Sequence, residues 1–405
     1  MKYKRILFLT DNFPPEVNAP ATRTFEHALE WHKKGYDITI ITSYPNYPKG
    51  ILFDGYKQKI FSQDLNFPFR VIRIWTIMYP NEGFIKRVID QFSYSIVAFF
   101  VGLFVKTDII VATSPQFFTA IAGRWLGVFK NKPWIMEVRD LWPETIVAVG
   151  ALKKGVLLTL LEWLEFRLYN SAYKIIVVTE AFKEKIISRG INSKKIFVHT
   201  NGVILDKFYP GPKDSELLAT MPELKGKIVF AYIGTHGMTH GLDFILKSIK
   251  FLESSNPEMH FLFIGDGAEK NSLLELARKL SLKNISFHPL VPKDKVARYL
   301  SLMDVALVNL KKNDTFKTVI PSKIFEAAAL HKPILLGLKG EAEEIINKYN
   351  AGICFEPENK EEFITKCRLI TNEENYHKYR KGCEKLAKSF DRKQIALQVL
   401  KTITA

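Results

Sequence analysis

Residues 228–267 read IVFAYIGTHGMTHGLDFILKSIKFLESSNPEMHFLFIGDG, and this stretch decides the fold class. An apolar run at Ile228–Ile233 is followed by a glycine-containing loop, a helical pattern to about Glu253, and a second apolar run at His260–Ile264. A strand, a helix and a strand in this order are typical of a βαβ unit, in which a helix joins two parallel strands. The stretch therefore predicts an α/β fold with a parallel sheet.

The same alternation continues on both sides of this stretch. Further strand-like runs are Arg5–Thr10, Asp37–Thr42, Val71–Trp75, Asp108–Thr113, Trp134–Val138, Ile175–Val178, Ser286–His288, Val305–Val308 and Pro333–Leu336. Helical patterns lie between them, for example at Ala21–Lys34, Glu180–Arg189 and near Pro321–Leu330. Because the pattern restarts after Gly202, we predict two Rossmann-like domains, residues 1–203 and 204–385, and a C-terminal helix, residues 386–405, that returns to the first domain.

Composition and charge narrow the possible partners. The 405 residues include 58 Lys and Arg against 42 Asp and Glu, a formal net charge of +16. Such an excess favours phosphate-rich partners, namely nucleic acid, anionic lipid or a nucleotide. The ordinary share of apolar residues, 47%, excludes a mainly disordered chain.

The sequence lacks several motifs that mark disulfide frameworks, metal sites and common nucleotide sites. The three cysteines, Cys354, Cys367 and Cys383, have no short spacing, which argues against a disulfide framework and a zinc site and favours a reducing compartment. No P-loop, no G-x-G-x-x-G after the first strand and no H-E-x-x-H occurs. We therefore expect neither a bound metal nor a cofactor.

The longest apolar run, Ile96–Val105, is too short to span a membrane. It predicts either a buried helix or an interfacial helix that dips into a bilayer. Lys86, Arg87 and Lys106 flank the run, and cations at its ends favour the interfacial alternative because they can meet lipid phosphates.

The segment 319–334, VIPSKIFEAAALHKPI, is the best candidate for a diphosphate site. Pro321 and Ser322 are expected to begin a helix, whose free N–H groups and dipole attract anions. Lys323 adds a positive charge at the same end, and Glu326 could accept hydrogen bonds from ribose hydroxyls. The alternative is that Ser322 only caps the helix and Glu326 is only a solvated carboxylate.

A glycine-containing loop follows the strand at 228–233. Gly234 and Gly237 would let the backbone approach a phosphate closely. His236 and His240 are placed to donate hydrogen bonds to ligand oxygens. Histidines in loops are also commonly structural, so this alternative stays open.

Two weaker candidate segments follow in the second half. Gly265 lies in a Gly-Asp-Gly turn before a helix that begins near Lys270. The backbone around Val291 could recognise the edge of a base. Neither segment is specific, because many strand–turn–helix units have similar turns.

In the first half, charged residues end a strand-like run at Glu137, Arg139 and Asp140. Charges at a strand end suggest substrate contact or catalysis, and the alternative is a structural Arg139–Asp140 ion pair. Arg23 follows the long first loop, where it could reach a phosphate or simply lie on the surface.

Taken together, these segments resemble glycosyltransferase family 4, which has the GT-B fold, over nearly the whole chain. The matching pieces are FPPE at 13–16, RDLWP at 139–143, IIVVTE at 175–180, HTNGV at 199–203, YIGTHG at 232–237, FIGDG at 263–267, PSKIFE at 321–326 and KPIL at 332–335. The resemblance implies two Rossmann-like domains that face a cleft. It also implies a retaining transfer from a nucleotide sugar, usually a UDP-sugar, without a bound metal, with the donor held mainly by the second domain.

The resemblance also implies roles for particular residues. Glu326 matches the second, ribose-binding glutamate of the family's E-x7-E pattern, but the first glutamate is replaced by Thr318. Asn18 and the alanine after it replace the usual Gly-Gly of the first loop. The arginine and lysine that commonly hold the diphosphate are replaced by His236 and His240 or are absent, and Lys323 would supply the missing charge.

At the cleft of the first domain, Arg139 stands where many family members carry a histidine. We expect Asp140 or Glu137 to orient or deprotonate the acceptor hydroxyl. The charge that develops on the leaving diphosphate would be stabilised by helix N–H groups and Lys323, together with either Arg23 or the histidines.

Three further segments, at 14–23, 44–50 and 139–150, resemble the bacterial N-acetyl-L-fucosamine transferases of O-antigen and capsule synthesis. This narrower resemblance implies a UDP-sugar donor, a polyprenyl-diphosphate-linked acceptor and an anionic membrane surface as partners. The expected location is cytoplasmic, on the inner face of the cell membrane.

Two other classes stay open. One is a UDP-sugar 2-epimerase, which can also have two Rossmann-like domains. The other is a non-catalytic protein that binds nucleotides or nucleic acid. The sequence contains no aromatic-basic RNA motif, so nucleic acid is not expected as a partner.

Overall fold

The computed structural model describes residues 3–16, 18–80, 84–114, 117–148, 155–292 and 295–405. Val17 and residues 149–150 of the quoted segments lie outside the described residues. The chain forms two compact units. The first unit comprises the chain up to Thr200 together with Lys393–Ala405, and the second comprises Asn201–Arg392.

Each unit is built on one sheet. The strands are β1 Arg5–Leu9, β2 Asp37–Ser43, β3 Phe61–Asp64, β4 Arg70–Ile74, β5 Ile109–Thr113, β6 Trp134–Val138, β7 Lys174–Val177, β8 Ile196–Val198, β9 Ile228–Ile233, β10 Met259–Ile264, β11 Ile285–His288, β12 Val305–Asn309, β13 Ile334–Gly337 and β14 Gly352–Cys354. The first unit has the strand order β3-β4-β2-β1-β5-β6-β7-β8, and the second has β11-β10-β9-β12-β13-β14. Every strand pair is parallel except β3 with β4. The predicted fold class is thus confirmed.

Helices follow most of the strands. They are α1 Ala19–Lys33, α2 Phe84–Leu103, α3 Phe117–Lys130, α4 Glu144–Ala148, α5 Val156–Ser171, α6 Glu180–Ser188, α7 Ser215–Thr220, α8 Leu242–Ile249, α9 Lys270–Lys279, α10 Val296–Ser301, α11 Lys323–Ala329, α12 Glu341–Tyr349, α13 Lys360–Thr371, α14 Glu373–Ser389 and α15 Arg392–Thr404. No helix among the described residues is long and apolar enough to cross a membrane.

The central strands are buried on both faces, which explains their nearly continuous apolar sequences. In β1, Ile6 to Leu9 are all buried, and they pair in register with Ile38 to Ile41 of β2. β3 was missed from sequence because its residues, FSQD, are mostly polar and it lies at the edge of the sheet.

The last helix, α15, packs within the first unit. Trp31 Nε1 donates a hydrogen bond to the carbonyl oxygen of Ala396 over 2.7 Å, and Lys174 Nζ donates to that of Thr402 over 2.8 Å. Ile395, Val399 and Ile403 are buried. The C-terminal segment therefore completes the first unit.

The parallel strands of each sheet end at a common edge, where open α/β sheets bind ligands. In the second unit the loops after β9 and β10 begin there with Gly234 and Gly265. In the first unit, Asp11 and Arg139 lie just beyond the ends of β1 and β6.

Candidate functional site

Two glycine loops meet closely at the carboxyl edge of the second unit. Gly234 and Gly265 have φ angles of +143° and +146°, which disfavour any residue with a side chain. A Cβ atom at Gly265 would lie 1.9 Å from the carbonyl oxygen of Gly234, and one at Gly234 would lie 2.7 Å from Cε of Lys323. The absence of side chains is therefore what lets the lysine reach the loop backbone.

Lys323, at the start of α11, lies over an aromatic ring. Its Nζ is 3.7 Å from the ring centroid of Tyr232, a cation–π contact. Burial lowers the pKa of Lys323 to about 7, although the carboxylate of Glu326 acts in the opposite direction. An anionic ligand at this loop would stabilise the charged form and raise the pKa again.

The helix that carries Lys323 is shorter than the sequence suggested. It begins at Lys323 rather than at Pro321 and has seven residues. Ser322 lies at the N-cap position of this helix, is exposed, and its side chain makes no capping hydrogen bond. Any attraction of this site for anions would therefore depend on the charge of Lys323 more than on the short helix.

The two histidines differ in placement. His236 is fully buried among the rings of Tyr232, Phe263 and Phe287, and neither of its ring nitrogens has a hydrogen-bond partner among the described residues. Burial lowers its pKa to about 4, so it is neutral at pH 7. Its ring therefore lies in an aromatic environment, which fits the structural role that the sequence analysis left open as the alternative to ligand contact.

His240 ends a 3-10 turn, Met238–His240, and is only half-buried. Burial and the charge of Lys323 lower its pKa to about 4. The sequence analysis missed Asn309, whose Nδ2 donates to the carbonyl oxygen of His240 over 2.7 Å and thereby fixes this turn. Asn309 directly ends β12, a position that could have drawn attention to it.

The remaining predicted residues of the second unit contact other parts of the protein. Lys270 Nζ donates to the carbonyl oxygen of Gly265 over 2.6 Å, so its charge supports the loop backbone. Val291 is buried in the apolar core. Gly237 precedes the 3-10 turn. The hydroxyl of Thr318 donates to the carbonyl oxygen of Thr315 over 3.1 Å.

In the first unit, Arg23 and Glu137 form a buried ion pair. Arg23 Nε lies 3.0 Å from Glu137 Oε1, and the side chains are 5% and 2% exposed. The Arg23 amino groups donate to the carbonyl oxygens of His199 and Thr200, each over 3.1 Å. Burial alone would raise the pKa of Glu137, but the neighbouring charges, with Arg23 foremost, lower it to about 2.

This ion pair bears on two expectations from the sequence, namely that Glu137 deprotonates the acceptor and that Arg23 contacts a phosphate. A carboxylate with a pKa of about 2 is a weak base, and Arg23 already has acceptors for its guanidinium. Arg139 and Asp140 are half-buried just after β6, beside Trp142, whose ring stacks on Phe117 at 4.4 Å. Of the residues predicted for catalysis, these two are the more accessible.

The first unit also has an apolar surface on α2, α3 and α5. Its members are more than 40% exposed, and we define it by Phe92, Ile96, Phe100, Trp125, Phe129, Leu160 and Trp163. A ring contact of 5.3 Å between Phe99 and Phe129 joins α2 to α3. α2 also buries Tyr94 and Ala98, so it is both a core helix and an exposed one.

Cations border this apolar surface. The Arg124 guanidinium lies 5.7 Å from the ring centroid of Trp125, and that of Arg167 lies 5.3 Å from the ring centroid of Trp163. Lys86, in the first turn of α2, and Lys106, just after the end of this helix, are exposed. The surface thus combines apolar area with positive charge.

Within the described part of the chain, no group of three or more His, Cys, Asp or Glu has an arrangement that could hold a metal ion. A cavity in the first unit is lined by polar residues that the sequence analysis missed. Asn18, one of the predicted site residues, also lies in its wall.

Comparisons with known proteins identify both halves of the chain. Residues 18–202 match the family described as glycosyl transferase 4-like domain, and residues 216–390 match the glycosyl transferases group 1 family. The probable glycosyltransferase WbjE of Pseudomonas aeruginosa is 31% identical over 52% of this chain and 52% of its own length. The match thus spans about half of that relative.

A second relative matches over nearly the whole chain. The putative colanic acid biosynthesis glycosyl transferase WcaI of Escherichia coli is 21% identical over 90% of this chain and 91% of its own length. Among solved structures, Anabaena HepE in complex with UDP and glucose superposes with a TM-score of 0.70, at 14% identity over 99% of both chains. At this identity the structural match shows the fold alone.

Proposed function

We propose that this chain, which belongs to the glycosyltransferases of GT-B fold, transfers a sugar from a UDP-sugar to a polyprenyl-diphosphate-linked saccharide. The relative named for colanic acid biosynthesis supports a role in making a surface polysaccharide. The narrower sequence resemblance favours an N-acetylated amino sugar such as N-acetyl-L-fucosamine as the transferred group.

The observation that carries the proposal is Lys323 at the glycine loops of the second unit. A nucleotide sugar presents two phosphates, and its leaving group gains negative charge as the bond to the sugar breaks. Lys323 places a cation beside Gly234, whose lack of a side chain lets the lysine approach the loop backbone. HepE, a structural neighbour, was solved with UDP.

The proposed reaction retains the configuration at the sugar carbon. The bond from this carbon to the leaving phosphate oxygen breaks, and an acceptor hydroxyl oxygen bonds to the same face of the sugar. The hydroxyl proton leaves with the departing phosphate or passes to solvent. Lys323 stabilises the departing charge, and Glu326, half-buried one turn into α11, is suited to accept from the ribose hydroxyls.

The apolar surface of the first unit is proposed to lie against an anionic membrane. Aromatic and aliphatic side chains would enter the interface, while the bordering lysines and arginines meet lipid phosphates. This placement would bring the enzyme to a lipid-linked acceptor.

The proposal is tested by incubating the protein with a panel of UDP-sugars and a lipid-linked monosaccharide and measuring UDP release. We expect Lys323→Met to lower turnover about 100-fold, the scale of losing one preorganised donor. Lys279→Met, on the exposed end of α9, is the matched control and should leave turnover unchanged. Equal rates for both variants would remove Lys323 from the site.

The same assay separates the alternatives. A UDP-sugar 2-epimerase would convert its substrate without an acceptor, so product analysis in the absence of acceptor identifies it. A nucleic-acid-binding protein would instead bind RNA with an affinity that falls steeply with salt.

A further inference from the structure

The edge of the first unit's sheet exposes an apolar strand. β3 is the outermost strand on this side, and among the described residues it pairs with β4 alone. Phe61 is 62% exposed, Ile60 directly before the strand is 74% exposed, and Leu65 directly after it is 82% exposed. Natural sheets commonly protect such edges with charged residues, because an unprotected edge can pair with a further strand. An apolar edge therefore points to a partner strand.

The two faces of β3 differ in character. Asp64, the one charged residue of this strand, points to the buried face, where its Oδ2 lies 3.0 Å from Nη2 of Arg73. Because successive side chains alternate between the faces, Phe61, Gln63 and Leu65 share the other face, and all three are exposed. The exposed face thus carries an amide between two apolar side chains and has no charge.

The backbone of the same residues is available for pairing. β3 and β4 are antiparallel, and the N–H of Trp75 donates to the carbonyl oxygen of Ile60 over 3.0 Å. In an antiparallel pair, residues that bond to the neighbouring strand alternate with residues whose N–H and C=O groups point away from it. Since Ile60 bonds toward β4, Ser62 does as well. The backbone groups of Phe61 and Gln63 therefore point away from the sheet, and no other segment of the described chain bonds to them.

A groove of about 530 Å³ lies beside this strand, and we call it the edge groove. Gln63 and Leu65 form part of its wall, together with Tyr36 and Phe67 from the adjoining turns. The ring of Phe67 stacks on that of Phe69 with 6.1 Å between the centroids. The edge groove is thus bordered by aromatic and aliphatic side chains and can hold an aromatic side chain from outside.

We propose that β3 pairs with β3 of a second copy of this chain, antiparallel and about a two-fold axis at Gln63. In this register Phe61 of each copy lies opposite Leu65 of the other, on the exposed face. Both kinds of pair use the backbone groups that point away from β4, so the contact satisfies hydrogen bonds that the single chain leaves to water. Phe61 then enters the edge groove of the other copy beside Leu65. A two-fold dimer requires this kind of self-complementary contact.

The contact area is sufficient for a weak, specific dimer. At their exposed fractions, Ile60, Phe61 and Leu65 each present roughly 100–150 Å² to solvent. Over two copies these side chains would bury about 800 Å², to which the strand backbones and the covered groove walls add, whereas a stable interface buries roughly 1,200–2,000 Å² in total. We therefore expect a reversible dimer with a dissociation constant in the micromolar range. The inference does not depend on the proposed function, since β3 carries no residue of the donor site.

Sedimentation velocity of the full chain, between about 1 and 100 µM, measures the association. We expect a monomer–dimer equilibrium for the wild-type protein. Phe61→Lys should raise the dissociation constant about 100-fold, because the two-fold axis repeats a roughly tenfold loss at each of the two contacts. Leu65→Lys should act in the same direction. Tyr209→Lys, which replaces a 67% exposed aromatic residue of the second unit, is the matched control and should associate as the wild-type protein does.

Two further variants test the register. Phe61→Lys/Leu65→Glu in one chain places opposite charges across the contact twice, so this double variant should associate more tightly than either single lysine variant. Gln63→Cys places two thiols at the axis, about 5.5 Å apart at Cα, and a short bismaleimide should join them into a covalent dimer. The wild-type protein controls for the half-buried Cys354, and Tyr209→Cys controls for an exposed thiol elsewhere.

Three results overturn the inference. The first is a wild-type protein that stays monomeric throughout, including the case in which Phe61→Lys weakens vesicle binding, since a lipid surface then covers the edge. The second is unchanged association of both lysine variants. The third is a dimer lost only in Phe129→Ser, which would place the contact on α3. Melting temperatures show whether each variant folds, and if Phe61→Lys does not, Leu65→Lys decides.

Discussion

Lys323 gives the donor site a predicted pH dependence. Its pKa in the ligand-free protein is about 7, so half of the molecules carry the charge at pH 7. A UDP-sugar has no group that titrates between pH 6 and 8.5, and it should bind the charged form preferentially. Because its affinity then follows the protonated fraction of Lys323, the dissociation constant should be nearly constant below pH 6 and rise about 15-fold between pH 7 and 8.5.

The assay is calorimetric titration with UDP-N-acetylglucosamine at constant ionic strength. His236 and His240 do not interfere, since their pKa values of about 4 lie below this range. Asp90, whose pKa is also about 7, lies in the first unit, and the variant Asp90→Asn should show the same profile as the wild-type protein. Lys323→Met should bind weakly with a flat profile. A flat profile for the wild-type protein, or an unchanged slope in Lys323→Met, would refute the assignment.

Three further predictions concern stability, loop geometry and membrane binding. Glu137→Gln should lower the free energy of unfolding by about 3–5 kcal/mol, because it leaves the Arg23 charge buried without its counter-ion, and urea denaturation measures this. Since the pKa of Glu137 is about 2 in the folded protein, its stabilising contribution should be present above about pH 4.5 and decline as the pH falls toward 2. Gly265→Ala would place a Cβ atom 1.9 Å from the carbonyl oxygen of Gly234, at a φ of +146°. The melting temperature and the UDP-sugar affinity of this variant should therefore fall. Gly211→Ala, which has open space around the new Cβ atom, should change neither. Phe129→Ser should weaken binding to phosphatidylglycerol vesicles about 10-fold, as expected for a 65% exposed aromatic side chain that enters the bilayer; equal flotation of variant and wild type would contradict this.

The fold was predictable because its signal is repeated and local. Each central strand, such as β1 or β10, is a short apolar run, because burial on both faces requires apolar residues at nearly every position. The edge strand β3 and the three-residue strands β8 and β14 carry no such signal, since they are short or polar. Their formation depends on neighbours that only the folded chain provides.

The candidate site was predictable only in part, because a sequence does not show which charges are paired. Lys323 and Arg23 are both cations near glycine- or proline-containing loops, yet Lys323 lies over a ring beside a glycine backbone whereas Arg23 is bonded to Glu137 and two carbonyl groups. His236 and His240 are four residues apart and both contact the ring of Tyr232, but His236 is fully buried whereas His240 is only half-buried. Long-range contacts decide these differences.

The cavity of the first unit also could not be predicted from the sequence. Asp11, Asn46 and Asp90 are far apart in sequence, and of the three only Asn46 lies in a segment, 44–50, that the resemblance singled out. The sheet brings the first two together because β1 and β2 are parallel neighbours that end at one edge, and α2 adds Asp90. Helix α2 thus contributes to two features, since Asp90 lines the cavity and Phe92, Ile96 and Phe100 are exposed along the turns that follow. A change to the apolar surface, such as Phe129→Ser, should affect vesicle binding without altering the affinity for a UDP-sugar, whereas Lys323→Met should do the reverse. Separable effects of this kind would be difficult to explain if the apolar residues merely packed against another protein.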